Sequence, residues 1–502
     1  MLTGIHRQQR RLDLLALAAG ALLPLAFAPV SWFALGLLLP ALLFVLWRDA
    51  SPGRAAWRGL LFGIGSFAVG VSWVYVSLRD YGGMPGALAV LVVIAFVLLL
   101  SVFPAVAGWL QAQVGRGMPT AVRLAVVMPA AWTLAEWMRG WVLTGFPWLS
   151  LGYSQIQSPL VAVAPWAGVH GVTLAAAVVA GLLAATVEGS WPRRVGALAL
   201  AAGILLAAQA GTAMRWSEPE GEPLRVALVQ GNVALVDKWS PAHRERIIDL
   251  YLQRSRQHGD ADLVVWPEAA IPVFVDELDA DFWETLGSLG PDFLFGALER
   301  GSSERGPEYY NSVAAVSAGI QMYRKRHLVP FGEYVPLPRL TRPIMDYLVI
   351  PWSNLSPWQG PQAPIVVAGH SVGISICYED AFPAEVLRAL PAAALLVNVS
   401  EDAWFGDSLA PHQRLEMARM RARETERPML RAANTGVSAI IDADGSVVAR
   451  TEQFVDTVLT GSVQPNRGMT PYVRTGNLPV VALVAVVLVF SLGVSILRRR
   501  RV

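Results

Sequence analysis

The sequence predicts a multi-span α-helical membrane domain of about eight transmembrane helices, joined to an α/β domain. Three observations carry this expectation. Hydrophobic residues make up 54% of the 502 and charged residues only 16%, against typical values of about 45–50% and about 25%. The first 211 residues are mostly apolar runs separated by short breaks. Beyond them, short β-branched runs alternate with helical patterns, which predicts sheets covered by helices. The length independently asks for two or more structural units. A net charge of +2 gives no support for nucleic-acid binding, which needs a basic face or stripe.

Taken in order, apolar spans are expected near 12–28, 31–47, 58–78, 86–110, 121–139, 160–187 and 195–211, with an eighth at 478–497. Each approaches the roughly 17–25 residues that cross a bilayer core. Arg7, Arg10 and Arg11 precede the first span; a cleaved leader is the alternative there, but the further spans favour a retained anchor. Arg48, Arg54 and Arg58, then Arg116 and Arg123, then Arg193 and Arg194, and finally Arg498 to Arg501 lie in alternate short loops or at the end. An even number of crossings puts them all on one side, the cytoplasm, with both termini. The segment 212–477 then lies on the opposite side.

Within 222–466 strands are expected at Leu224–Gln230, Asp262–Trp266, Phe293–Leu298, Ser312–Ser317, Ile365–Cys377, Leu395–Ser400 and Val437–Asp442. Helices are expected at Pro241–Gln257, Ala280–Leu289 and His412–Arg427. Asp444-Gly445 between two apolar runs is a hairpin signal.

The chain holds one cysteine, Cys377, which excludes an internal disulfide and any cysteine-based metal cluster. A lone cysteine is more often a small buried hydrophobe than a nucleophile, so its neighbourhood must argue otherwise. Three strand ends carry unusual polar residues: Trp266-Pro267-Glu268, the stretch from Tyr323 through Lys325 to Glu333 and Pro336, and Ile376-Cys377-Tyr378-Glu379. A carboxylate that takes a proton, an ammonium that stabilises an oxyanion and a thiol that attacks a carbonyl suffice for acyl transfer. Singly, each has a plainer reading: Glu268 as a helix cap, Lys325 as part of a solvated basic run, Cys377 as core. The chemistry requires no metal and no organic cofactor, and the histidines lack ligand spacing.

These motifs match the Glu-Lys-Cys triad of the nitrilase superfamily. Together with the words His327-Leu328-Val329-Pro330-Phe331-Gly332-Glu333-Tyr334-Val335-Pro336, Cys377-Tyr378-Glu379, Asn398-Val399-Ser400 with Asp402-Ala403-Trp404-Phe405-Gly406, and Phe146-Pro147-Trp148-Leu149, the sequence resembles the apolipoprotein N-acyltransferase family over nearly the whole chain. The resemblance implies a nitrilase-like αββα sandwich at 222–466 in the periplasm, a transmembrane domain of about seven helices at 1–211 and a C-terminal transmembrane helix at 478–497, in a bacterial inner membrane. It implies Glu268 as general base, Lys325 at the oxyanion and Cys377 as nucleophile. Glu333, Tyr378 and Glu379 support them, and Trp239, Trp148 and Trp404 contact substrate. The implied partners are a phospholipid acyl donor and a diacylglyceryl-modified apolipoprotein acceptor, with no oligomer required. The family commonly has Asn-Asp where this chain has Glu401-Asp402, which reads as a loop variation that leaves the triad untouched.

Apolar loops rich in Trp and Pro, Ile350–Pro361 with Trp352 and Trp358, and Ala403–Ala410, are expected at the entrance, since aromatic residues favour the headgroup zone. Glu136 and Arg139, one helical turn apart in the fifth span, read as a structural pair sooner than as catalytic groups, although intramembrane charges merit a functional test. His170, near the sixth span, reads as lining the cavity or as bonding a backbone carbonyl, and not as catalytic. Two rivals remain: a tethered amidase or nitrilase using the same triad with water as acceptor, and a transporter or scaffold whose outer domain only binds, which predicts a defective triad.

Overall fold

In the computed structural model, residues 2–187, 190–304, 306–337, 339 and 354–499 are described. They divide into two units: one of Met1–Tyr75, Ala87–Met214 and Arg474–Val502, the other of Val76–Gly86 and Arg215–Val473.

The first unit is helical. Gly86–Val114, Pro159–Ala185, Trp191–Gly211 and Leu478–Arg498 are each long and apolar enough to cross a bilayer, and Pro52–Gly70 with Trp73–Tyr81, bent by 52°, makes a fifth candidate. Leu35–Arg48 is apolar but shorter, and Leu2–Leu22 is a further helix. Small residues bring the helices together. A Cβ on Gly20 would lie 2.0 Å from the Phe62 carbonyl oxygen, and one on Gly65 2.3 Å from that of Leu17. Without water there is no hydrophobic drive between helices, so close backbone approach supplies the packing. Glu136 and Arg139 are buried on Met128–Arg139. Glu136 accepts from Trp132 Nε1, the Leu151 amide and Thr173 Oγ1, each at 3.0 Å. Arg139 donates to the carbonyls of Phe146 and Trp148 and to Ser150 Oγ. The pair thereby fixes the turn at 146–151, the structural reading of the two. His170 is buried in Ala164–Ala185.

The second unit is an αββα sandwich. Its strands are β1 (Ser217–Pro219), β2 (Leu224–Gln230), β3 (Leu263–Val265), β4 (Asp292–Ser303), β5 (Gly306–Val316), β6 (Ile320–Arg324), β7 (Ile365–Val367), β8 (His370–Ile376), β9 (Leu395–Ser400), β10 (Met429–Ala433), β11 (Ala439–Ile441), β12 (Val447–Arg450), β13 (Thr457–Val463) and β14 (Asn466–Gly468). One six-stranded sheet runs β13-β2-β3-β4-β5-β6 and a second β12-β11-β10-β9-β8-β7, while β1 and β14 pair antiparallel as a separate two-stranded sheet. Alternation decides what each face buries. Val226, Leu228, Val265 and Leu294 point between the sheets to meet Ile376, Val397, Val399 and Leu430. Ala227, Val229, Val264 and Phe293 point outward under helices Arg244–Arg256 and Ala280–Ser288, against Ile247, Tyr251, Phe282 and Leu286. Helix Ala410–Thr425 covers the other sheet with Leu415, Ala418 and Ala422.

The expected strand Ile365–Cys377 is instead a hairpin. Ala368 and Gly369 take positive φ (49° and 76°) and fold β7 antiparallel onto β8. A continuous apolar run conceals such a turn. Asp444-Gly445 does form the expected hairpin, with Gly445 at φ 83° between β11 and β12.

Candidate active site

β2, β3 and β4 run parallel, as do β8, β9 and β10, so their carboxyl ends gather loops, the usual location of sites in such sheets. β6 returns to the same direction after the antiparallel β5. Glu268 follows β3, Lys325 follows β6, Cys377 follows β8, Glu401 follows β9 and Asn434 follows β10. Gly296 on β4 permits the first of these: a Cβ there would lie 2.4 Å from the Ala269 amide nitrogen and 2.6 Å from Glu268 Cα.

Glu268 is buried. Its Oε1 accepts from Asn311 Nδ2 at 2.7 Å and faces Lys325 Nζ at 3.5 Å, and its Oε2 accepts the Glu401 amide at 2.8 Å. Burial opposes its ionisation, but Lys325, the Asn311 and Glu401 donors and Lys238 outweigh it and hold the carboxyl below its usual range. Lys325 Nζ donates to Glu333 Oε1 at 2.9 Å. Burial disfavours its charge, yet Glu333 and Glu268 raise its affinity for the proton above the ordinary lysine value. Glu333 is fixed in turn by Asn311 Nδ2 at 2.9 Å and the Val329 amide at 2.7 Å.

Cys377 opens a short 3₁₀ turn, Cys377–Ala381, at φ 50°, a left-handed conformation that costs a non-glycine residue about 1–3 kcal/mol. Neighbouring hydrogen bonds offset the strain. Asn398 Nδ2 donates to the Cys377 carbonyl at 3.2 Å. Glu379 takes the amides of Ile376, Arg326 and His327 at 2.8, 2.7 and 3.1 Å, and the Tyr323 hydroxyl at 3.1 Å. This carboxyl ties the Cys377 turn to the loop after Lys325; burial lifts it to about 7 against those amide donors. Burial pushes the Cys377 thiol up to about 12, with Arg414 and Lys325 pulling down and Glu268 and Asp402 pushing up. These surroundings favour the protonated form of the thiol and the ionised form of Glu268.

Tyr378 is buried in edge-on contact with Phe382, 4.8 Å between ring centres. Trp239 is half-buried against an apolar cluster of Phe274, Leu298, Leu328 and Leu355. Trp404 is half-buried in the turn Asp402–Phe405. Trp148 belongs to the helical unit, where it is buried and stacks on Phe146 at 4.9 Å. In the expected entrance loop, Trp358 lies under the Arg324 guanidinium at 4.3 Å, whereas residues 350–353, Trp352 included, fall outside the described residues.

Position 401 corrects the sequence reading, because Glu401 is part of the site. Besides its amide on Glu268, its carboxylate pairs with buried Lys238 Nζ and accepts from Asn434 Nδ2 at 2.9 Å. Lys238 also donates to the Glu268 carbonyl at 3.1 Å. Asn311 and Arg414 were not foreseen either. Asn311 is a polar residue just before the expected Ser312 strand, which was its only signal.

Residues 225–470 match the family model described as carbon-nitrogen hydrolase, which places the α/β unit in that class. Residues 19–182 match the apolipoprotein N-acyltransferase N-terminal domain. Proteins named apolipoprotein N-acyltransferase are similar over almost their full lengths: that of Methylococcus capsulatus is 44% identical, covering 97% of this chain and 96% of the relative. That of Nitrosomonas europaea is 42% identical over 94% and 95%, and that of Coxiella burnetii 38% over 95% and 99%. The chain belongs to the apolipoprotein N-acyltransferase family.

Proposed function

We propose that the protein transfers a fatty acyl chain from a phospholipid, through a thioester on Cys377, to the N-terminal α-amine of a diacylglyceryl-cysteine on an apolipoprotein, the last step of lipoprotein maturation. The observation that supports the reading is Lys325 shared between Glu268 and Glu333, at the same strand ends that hold the buried Cys377 turn. Glu268 takes the thiol proton as sulfur attacks the ester carbonyl, and returns it to the departing lysophospholipid oxygen. The Lys325 ammonium stabilises the oxyanion, in a buried setting that strengthens the interaction. The acceptor amine then attacks the thioester, Glu268 takes its proton, and the thiol is restored. Trp239, Trp148 and Trp404 are the proposed substrate contacts, with Tyr378, Glu379 and Glu333 in support. The reaction needs no metal or organic cofactor and no second copy of the chain.

In the same reading, 1–211 and 478–497 cross the bacterial inner membrane eight times, and 222–466 works in the periplasm with both termini in the cytoplasm. The arginines in alternate loops support this orientation. Both substrates are lipid-anchored, each buried CH₂ contributing about 0.8 kcal/mol, so a membrane-tethered site meets them without extracting them.

The test is intact-mass analysis after incubation with phospholipid alone. Wild type is expected to gain one hydroxylamine-sensitive acyl group and Cys377→Ser none. An unmodified, folded wild type with its phospholipid intact refutes the acyl-carrier reading and favours an amidase.

A further inference from the structure

Deeper in the second unit, behind the nucleophile, four ionisable side chains form a closed group. Arg414 and Arg431 face Asp380 and Asp402, and all four are buried. Arg414 Nη2 donates to Asp380 Oδ1 at 3.2 Å and its Nη1 to Asp402 Oδ1 at 2.5 Å. Arg431 completes the ring, with Nη1 on Asp380 Oδ2 at 3.0 Å and Nη2 on Asp402 Oδ2 at 2.8 Å. Two cations and two carboxylates cancel, so the group could be read as internal bracing alone.

One contact breaks that symmetry. Arg414 Nη1, whose two N–H groups also face Asp402 Oδ1 and Ser400 Oγ, lies 3.4 Å from Cys377 Sγ, within hydrogen-bonding range of sulfur. Arg431 makes no such contact among the described residues; its further partners are Asn398 Oδ1 and Ser400 Oγ. Lys325, the cation the chemistry assigns to the oxyanion, has its hydrogen bonds directed to Glu333 and Glu268 instead.

We propose that Arg414 is a catalytic residue whose Nη1 donates a hydrogen bond to Cys377 Sγ and stabilises the thiolate in both half-reactions. This rests on Cys377 being the acyl carrier. In the first half, the S–H proton passes to Glu268, the sulfur–carbon bond forms and the ester carbon–oxygen bond breaks. In the second, the amine nitrogen bonds to the carbonyl carbon, the sulfur–carbon bond breaks and its electron pair returns to sulfur. At both moments charge on sulfur exceeds that of the resting thiol, and an N–H donor already in place strengthens without rearrangement. A guanidinium suits the position because it keeps its proton when buried. The charged or titratable groups around the sulfur are then Arg414, Glu268, Lys325, Asp402 and Tyr378. Asp402 opposes Arg414 and sets how much of its charge the sulfur feels.

The chain's single cysteine makes the test clean, since alkylation of the full-length protein in detergent with iodoacetamide reports on one sulfur. At pH 8, Arg414→Gln is expected to slow alkylation about tenfold, Arg414→Lys to stay within about threefold of wild type, and Asp402→Asn to accelerate it about threefold or more. Loosened packing alone would expose the sulfur and speed all three. An Arg414→Gln protein that is folded, by thermal denaturation, and alkylates as fast as wild type overturns the proposal. If Arg414→Gln does not fold, Asp402→Asn and Arg414→Lys decide together: only Asp402→Asn should accelerate, and acceleration of both, or of neither, overturns the proposal. Acylation of the wild type by phospholipid is scored in the same preparation. An adduct without the alkylation pattern removes Arg414 only, whereas absence of the adduct removes the acyl-carrier reading itself.

Discussion

Each unit buries an acid beside a cation, and the two pairs are used differently. Glu136 and Arg139 approach no closer than 3.9 Å. Their hydrogen bonds run to backbone groups, a tryptophan and hydroxyls that keep their protons at ordinary pH. Glu268 accepts one backbone amide, that of Glu401, but otherwise it and Lys325 face each other, with Asn311 on Glu268 and Glu333 on Lys325. Charges anchored to backbone hold a turn, whereas charges anchored to other titratable groups can exchange protons. The identity of the partners separates bracing from chemistry where burial alone does not.

The sharpest way to break this comparison is Lys325→Met. It leaves buried Glu268 and half-buried Glu333 without their cation, so acyl transfer should fall at least about 10³-fold, and stability by about 3–5 kcal/mol, read by thioester formation and thermal denaturation. A smaller effect concerns proton position. With the thiol pushed up to about 12, thiolate is scarce at neutral pH and grows as pH approaches that value. Iodoacetamide alkylation of Cys377 should therefore rise about tenfold per pH unit from 6 to 9, with no plateau; a plateau near 7 would mean an activated resting thiolate. The smallest effect on activity is expected from Glu136→Gln. It should lower stability by about 1–3 kcal/mol while Cys377 alkylation of the folded fraction stays within about twofold of wild type. A hundredfold loss there would abolish the distinction.

The sequence was most readable where a single local rule applied. Continuous apolar, β-branched runs marked β2 and β9, Asp444-Gly445 marked its hairpin, and the words around Glu268, Lys325 and Cys377 marked the strand ends. Tertiary pairing hid the rest. Helix Ala410–Thr425 carries Arg414, Arg419, Arg421 and Arg423, a pattern that predicts a solvated face, yet Arg414 and Arg421 are fully buried. Charged residues sink this far only with partners, and those of Arg414, Asp380 and Asp402, come from other loops. Glu401 was dismissed for the same reason: its partner Lys238 stands 163 residues earlier. Strands β6, β10 and β13 were missed because Arg324, Arg431 and the Thr457–Val463 alternation offer little apolar signal.

The solitary, buried Cys377 has a consequence for damage as well as for catalysis. Oxidants attack thiolates, and a sulfenic acid on this sulfur would find no second thiol in the 502 residues with which to form a rescuing disulfide. Burial, which pushes this thiol up to about 12, keeps the proton on sulfur and so withholds the thiolate that oxidants attack. The burial that makes Cys377 slow to ionise thus also protects it from oxidation.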